Sequence, residues 1–423
     1  MRFERAAAAG VWMGALTLSP VAAQTAGSRF SPALAAQAPV RDALLFAAAN
    51  FPQQVEEWIR LTEIPAPSGK EEERATYVRA QLVALQLPVQ SDSIGNLWTV
   101  LAGTGEGPRL VLAAHLDTVH PLGTDLTVHR TDSTLHAPGV FDNTASVANL
   151  LALARAWRAA GVRTRGDVVL LWTVQEEVGL RGMAYWLDHH TPDLLVAVDG
   201  ALGPVHYGAL GIYWSRMVFT GAGAHTNTSR GKPHPARAAA RCVLDLYRIP
   251  LPPPDAAVGA VYNVGMIRGG HVVNAIPEEV AFTVDLRTVD PVLLERLDTT
   301  IVSTCHDAAA AESVAFRREW IQRSAAGGTP EQLAPRRTHP LVLTAVDVLR
   351  YLGWSFGAEP VAVPSGSTDA NVGVVRGLPA ISVGRARGGD QHTLREWADI
   401  ATARTGTQQL VLLAAALAGV HER

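Results

Sequence analysis

Cysteine is almost absent from this chain: Cys242 and Cys305 are the only two in 423 residues. Neither a zinc ribbon nor a redox Cys-x-x-Cys pair can be built from them, so any metal ion has to be held by imidazole and carboxylate groups. The two thiols leave two readings open. One is a disulfide, which stabilises by about 4 kcal/mol at most on chain-entropy grounds, and the other is a pair of buried free cysteines. Runs of basic residues are also missing. With a formal net charge of −3 and a pI near 6.5, there is no electrostatic basis for nucleic-acid binding.

What is present is the composition of a globular protein, 48% hydrophobic and 18% charged, in a chain long enough for two domains. Met1-Arg-Phe-Glu-Arg5 is followed by the apolar stretch 6–18 and the small-residue end Ser-Pro-Val-Ala-Ala23. That is the layout of a secretory signal over 1–23, and the protein is expected to be exported to the periplasm or beyond. The alternative, a membrane anchor, needs roughly 20 apolar residues, so no membrane span is expected after processing. Residues 24–40, rich in Ala, Ser, Pro and Gln, read as a flexible mature N-terminus.

Hydrophobic periodicity predicts helices at 52–63 and 70–87, with Ser68 and Glu71 as a capping box for the second. Strands are predicted at 94–101, 109–114, 168–174 and 194–198, and Asp142-Asn143-Thr144 opens an apolar helix to about 160. From 211 the grammar changes. Strand 212–220, helix 235–248, strands 260–267 and 279–287, helix 291–310 and strand 313–322 follow in βαββαβ order, a ferredoxin-like unit inserted into the chain. A helix at 339–352, a strand at 380–383 and a helix at about 396–418 complete the pattern. The implied organisation is an α/β domain formed by 41–210 and 326–423, interrupted by a second domain at 211–325.

His115, Asp142, Glu176, Glu177 and Asp199 all fall at or just past the carboxyl ends of predicted strands, the edge where open α/β sheets bind ligands. Taken singly, each has an ordinary explanation. His115 and Asp117 share a strand face and serve equally as a hydrogen-bonded pair, Asp142 is a favoured helix N-cap, and Glu176-Glu177 reads as an exposed acidic turn. Jointly they suit a cation site, because adjacent carboxylates at a strand end need compensating charge. His120, His189, His190 and His271 read as solvated or loop histidines.

The motifs Ala-His115-Leu-Asp117, Gly-Val-Phe-Asp142-Asn, Glu176-Glu177-Val-Gly, Asp199-Gly, Gly-Ala-Gly-Ala-His225, Gly-Gly-His-Val-Val-Asn274-Ala-Ile-Pro, Asp-Leu-Arg287, Ser-Thr-Asp369 and His392 occur in that order. In order and spacing the chain resembles, from about 50 to 420, the dinuclear-zinc exopeptidase and amidase family that includes peptidase T, folate-cleaving bacterial carboxypeptidases and aminoacylase. The resemblance implies an α/β zinc-exopeptidase catalytic domain, its mixed sheet flanked by helices, with an inserted ferredoxin-like α+β lid that also dimerises. It further implies two Zn²⁺ per chain, with Co²⁺ or Mn²⁺ as substitutes. Asp142 bridges them, His115 and Asp199 hold one, and Glu177 and His392 hold the other. Asp117 orients His115, and Glu176 is the base that takes a proton from the attacking water and returns it to the leaving nitrogen. His225, Asn274 and Arg287 meet the substrate, a small peptide or N-acyl amino acid, with Arg287 suited to a carboxylate. The implied assembly is a homodimer. A non-catalytic, ligand-binding relative of the same fold is the other reading; it predicts the loss of a ligand or of the base, and none is lost.

Overall fold

The computed structural model describes residues 26–421 except 254, 255, 257 and 355–360. The expected signal segment 1–23 lies outside the described residues.

The central sheet has eight strands in the order Gln90–Ser91, Leu97–Leu101, Val168–Thr173, Leu110–His115, Leu194–Val198, Ala380–Val383, Val205–His206 and Ala362–Val363. Its middle is parallel: Leu110–His115 lies between Val168–Thr173 and Leu194–Val198, and Leu194–Val198 pairs in turn with Ala380–Val383. Leu97–Leu101 runs antiparallel to Val168–Thr173, and Val205–His206 antiparallel to Ala380–Val383, so the sheet is mixed. The middle strands are buried throughout, because helices cover both faces. Leu110, Leu112 and Ala114 share a core with Thr144–Ala160 and Ile400–Ala418, while Val111 and Ala113 face Met183, Trp186 and Val374 on the other side. Each fully buried leucine there contributes roughly 1.5–3 kcal/mol.

The inserted unit is a four-stranded antiparallel sheet in the order Ala260–Gly269, Glu279–Thr288, Gly211–Thr220 and Ala315–Ser324. Helices Pro235–Leu246 and Pro291–Ala311 bury their apolar residues together with its strands. Cys242 and Cys305 are bonded to each other, which joins the two helices and decides between the two readings of the thiols. A third small sheet pairs Trp397–Asp399 with Thr134–His136 and with Gly388–Gly389. That pairing carries the His392 loop to the segment leading into Asp142.

Three local expectations need correction. Residues 28–40 are not a flexible tail: Phe30, Ala35 and Val40 are buried, and helices Pro32–Ala36 and Ala38–Ala49 pack on the core. Ser68 and Glu71 do not form a capping box, because the helix begins at Glu72 and both side chains bond elsewhere. His120 sits in a loop but is buried, 3.7 Å from Glu396. In each case tertiary partners outcompete the local pattern.

Candidate metal and active site

Parallel strands end together, and here four of them deliver the site. His115 is the last residue of its strand and lies level with Thr173, so Glu176 and Glu177 leave the neighbouring strand beside it. Asp199 follows Leu194–Val198, and Arg385 follows Ala380–Val383 at the same edge. Asp142 arrives from the loop before Thr144–Ala160. Asn143, not Asp142, is that helix's N-cap residue, which leaves the Asp142 carboxylate for the site.

Each Asp142 oxygen faces one histidine: Oδ1 is 3.3 Å from His115 Nε2, and Oδ2 is 3.4 Å from His392 Nε2. Asp199 Oδ2 is 3.8 Å from His115 Nε2, and Glu177 Oε2 is 3.3 Å from His392 Nε2. His115, Asp142 and Asp199 thus form one group whose ligand atoms lie within 4.8 Å of one another, and Asp142, Glu177 and His392 form a second. Asp142 is common to both. His115 Nδ1 is 3.0 Å from the Asp117 carbonyl oxygen; with a proton on Nδ1 donated there, the Nε2 lone pair points at Asp142 and Asp199. The donor set, neutral imidazole nitrogen with carboxylate oxygen, suits a divalent ion such as zinc. Among the described residues, Glu177 Oε1 is buried without a hydrogen-bond donor and Asp142 Oδ1 lacks an aligned one, which leaves both oxygens able to face a cation.

Asp117 does more than steer His115. Its Oδ1 accepts the Glu176 amide (3.0 Å), and its Oδ2 accepts the Glu177 amide (3.1 Å) and the Ser68 hydroxyl (2.6 Å). These bonds and His115 hold its carboxyl below the usual carboxylate range even though burial alone raises it. Gln175 and His392 have left-handed backbone (φ 54° and 62°), strained for residues with a side chain, and both lie where the chain aims a site residue.

Electrostatics separate the two adjacent glutamates. Burial, followed by repulsion from Asp199, Glu177 and Asp369, pushes Glu176 well above the ordinary range, although His115 opposes the rise. Asp369, buried and bonded to Thr173, is raised to about 7, chiefly by burial. His392 is raised to about 10 by Asp142 and Glu177. Burial lowers His115, but Glu176, Asp117 and Asp142 outweigh it and raise it well above 6.5.

The cluster opens into a cavity of about 390 Å³ roofed by the inserted sheet, with Ile212, Trp214, Arg287, Gln322 and Ser324 on its wall. Arg287 Nε is bound to both Asp285 oxygens (3.0 and 3.1 Å), which fixes its guanidinium on that wall. His225 and Asn274 are near each other, His225 Nε2 to Asn274 Nδ2 3.5 Å, on the exposed ribbon that pairs 224–225 with 275–276. They are not part of the cavity wall. The structure therefore brings His115, Asp117, Asp142, Glu176, Glu177, Asp199, His392 and Arg287 to one place and leaves His225 and Asn274 apart.

Residues 111–416 match the model of peptidase family M20/M25/M40. The chain belongs to this family. A succinyl-diaminopimelate desuccinylase of Corynebacterium glutamicum is 34% identical over 149 residues, which are 34% of this chain and 39% of that protein. The chain thus spans well under half the length of that relative. A tripeptidase from Staphylococcus aureus superposes with a TM-score of 0.72 at 21% identity, over 87% of this chain and 99% of that one. The Bacillus subtilis YXEP protein, described as a dinuclear metal-binding peptidase, does so with a TM-score of 0.62 at 16% identity, over 88% and 100%. At such identities the two structures establish the shared fold, an α/β architecture with a mixed sheet flanked by helices.

Four contributors escaped the sequence reading: Arg385, Glu396, Ser68 and His206, which lines the cavity. Arg385 was within reach, because it follows a predicted strand at the same edge as Asp199. Glu396 accepts the amides of Gly139, Phe141 and Asp142, a role that only the third sheet's pairing creates.

Proposed function

We propose that this M20-family member is an exported, metal-dependent hydrolase with two zinc ions per chain, cleaving an amide bond in small peptides or N-acyl amino acids. The observation that carries the proposal is Asp142 set between His115 and His392, with the buried Glu176 beside them. His115, Asp199 and Asp142 would hold one ion, and Asp142, Glu177 and His392 the other. Bound divalent ions supply an acidified water and an electrostatic sink for charge developing on the carbonyl oxygen.

The chain's own groups do the rest. Glu176 stands at the cavity with its proton affinity raised, suited to take a proton from the attacking water and to return it to the leaving nitrogen. Asp117 holds the Glu176 and Glu177 backbone and the His115 ring in one unit. Relatives named as a desuccinylase and a tripeptidase both act on C–N amide bonds, in agreement with this reading. Screening di- and tripeptides and N-acyl amino acids against the zinc-loaded protein by mass spectrometry tests it. No turnover of any of them by protein carrying two zinc equivalents would overturn the amide-hydrolase reading.

Metal binding itself has an expected pH signature. Without metal, His392 is protonated at neutral pH, since Asp142 and Glu177 raise it to about 10, and His115 is shifted in the same direction by the carboxylates around it. Ligation requires the neutral rings, so uptake expels protons, that of His392 among them, and affinity climbs as pH rises towards that value. Calorimetry in buffers of different ionisation enthalpy counts those protons. A count of zero would remove the histidines from the ligand set.

Arg287 is proposed to receive a free carboxylate. Its Nε is committed to Asp285, and its guanidinium lies 5.7 Å from the Trp214 ring centroid on the cavity wall. Arg287→Ala is expected to raise KM about 10- to 100-fold for substrates ending in a carboxylate, the worth of a charge-assisted bond. Amidated analogues should be little affected; an equal penalty on them would refute the assignment.

Export is supported by the N-terminal pattern and by the Cys242–Cys305 disulfide, a bond that persists in oxidising compartments. Among the described residues no helix is long and apolar enough to cross a membrane. A homodimer through the inserted domain, with His225 and Asn274 reaching the partner's cavity, accounts for these two residues standing outside their own.

A further inference from the structure

Arg385 lies under the ligand cluster and is fully buried. Its Nη1 donates to Asp199 Oδ1, its Nη2 stands 3.0 Å from Asp142 Oδ1, and its guanidinium carbon is 4.2 Å from the centroid of the Phe141 ring. The backbone beneath it is fixed. The Arg385 amide donates to the Gly200 carbonyl, and its carbonyl accepts from Asn149 Nδ2 at 3.1 Å. A side chain at Gly406 would collide with that carbonyl, so the helix Ile400–Ala418 closes directly over it.

This guanidinium therefore shares its two anionic partners with the ion assigned to His115, Asp142 and Asp199. Asp142, Glu176, Glu177 and Asp199 converge on one small volume, and in the absence of ions such a group of carboxylates repels itself. A cation that cannot leave offsets part of that repulsion. Arg385 is not on the cavity wall and does not reach substrate.

The geometry points to Arg385 as a positioning residue: a built-in counter-charge that holds Asp142 and Asp199 in place while the site is without metal. The inference rests on the metal reading proposed above. When zinc is bound, the ion supplies the same compensation, so the contribution of Arg385 to stability is largest in the metal-free protein. Glu396 works alongside it by holding the Asp142 amide at 2.6 Å, but through the backbone and without a positive charge.

The test compares thermal unfolding of full-length wild type and Arg385→Met, each stripped with a chelator and then reloaded with zinc chloride. Methionine keeps an unbranched stem against Phe141 and removes the charge. Stripped Arg385→Met is expected to melt about 10 °C below stripped wild type, the effect of leaving buried charges without a partner. The zinc-loaded pair should differ by less than half of that, so zinc raises the melting temperature more in the variant than in wild type. Arg385→Lys, which retains a positive charge, should show a zinc-induced rise close to that of wild type. If stripped Arg385→Met does not fold but folds with zinc, the inference stands; if it folds in neither state, Arg385→Gln takes its place in the same comparison. A purely packing role would lower both states equally, and equal zinc-induced rises in wild type and variant overturn the inference while the metal reading survives. A wild type whose melting is indifferent to zinc overturns both.

Discussion

Glu176→Gln is expected to lower kcat by about 10³- to 10⁴-fold while both metal equivalents stay bound. Glutamine keeps the size of the side chain and cannot carry the proton. The backbone of Glu176 is tied to Asp117 through its amide, so the substitution leaves the frame of the site in place. Glu177 is the necessary contrast. Its Oε2 lies 3.3 Å from His392 Nε2, and its other oxygen is buried without a donor, so Glu177→Gln should lose the ion shared with His392 as well as activity. Metal analysis alongside kcat separates the two residues. Comparable metal loss in both variants would mean that base and ligand are interchanged or wrongly assigned.

Mixing two inactive proteins is expected to restore about a quarter of wild-type activity. His225 lies on an exposed ribbon away from the cavity of its own chain, beside Asn274. If it serves the partner's site, Glu176→Gln and His225→Ala complement each other when unfolded and refolded together. In a mixed dimer one site lacks both groups, and the other combines an intact Glu176 with an intact His225 from across the interface. Random pairing makes half the dimers mixed, and half of their sites are whole. Should His225 serve its own chain, no site is complete and refolding restores nothing. Native mass spectrometry confirming mixed dimers without recovered activity would reject the shared site and leave the metal chemistry untouched.

The long strands of both sheets were readable from periodicity, because the middle strands are unbroken apolar runs and the inserted unit alternates regularly. The two-residue strands Gln90–Ser91, Val205–His206 and Ala362–Val363 are too short to show a period. The ligand candidates were readable for a related reason. His115, Glu176, Glu177 and Asp199 are chain neighbours of strand ends, so a rule about one sheet edge finds them without knowing how the strands are ordered. Applied to Ala380–Val383, the same rule reaches Arg385, whose guanidinium is not a metal ligand.

Contacts made across the fold were not readable. Ser68 and Glu71 have the spacing of a capping box, yet Ser68 donates to Asp117, and Glu71 accepts the amides of Gly69 and Gln175. Residues 28–40 have the composition of a tail, but Phe30 and Val40 find an apolar surface built from helices more than 100 positions away. Glu396 holds the Asp142 loop only because a strand at 397–399 pairs with one at 134–136. Local composition and period specify which segments become strands and helices and which residues stand at their ends. The counter-charge of Arg385, the clamp of Glu396 and the separation of His225 from its own cavity arise from pairings between distant segments, whose energies depend on packing and burial that no window of neighbouring residues contains.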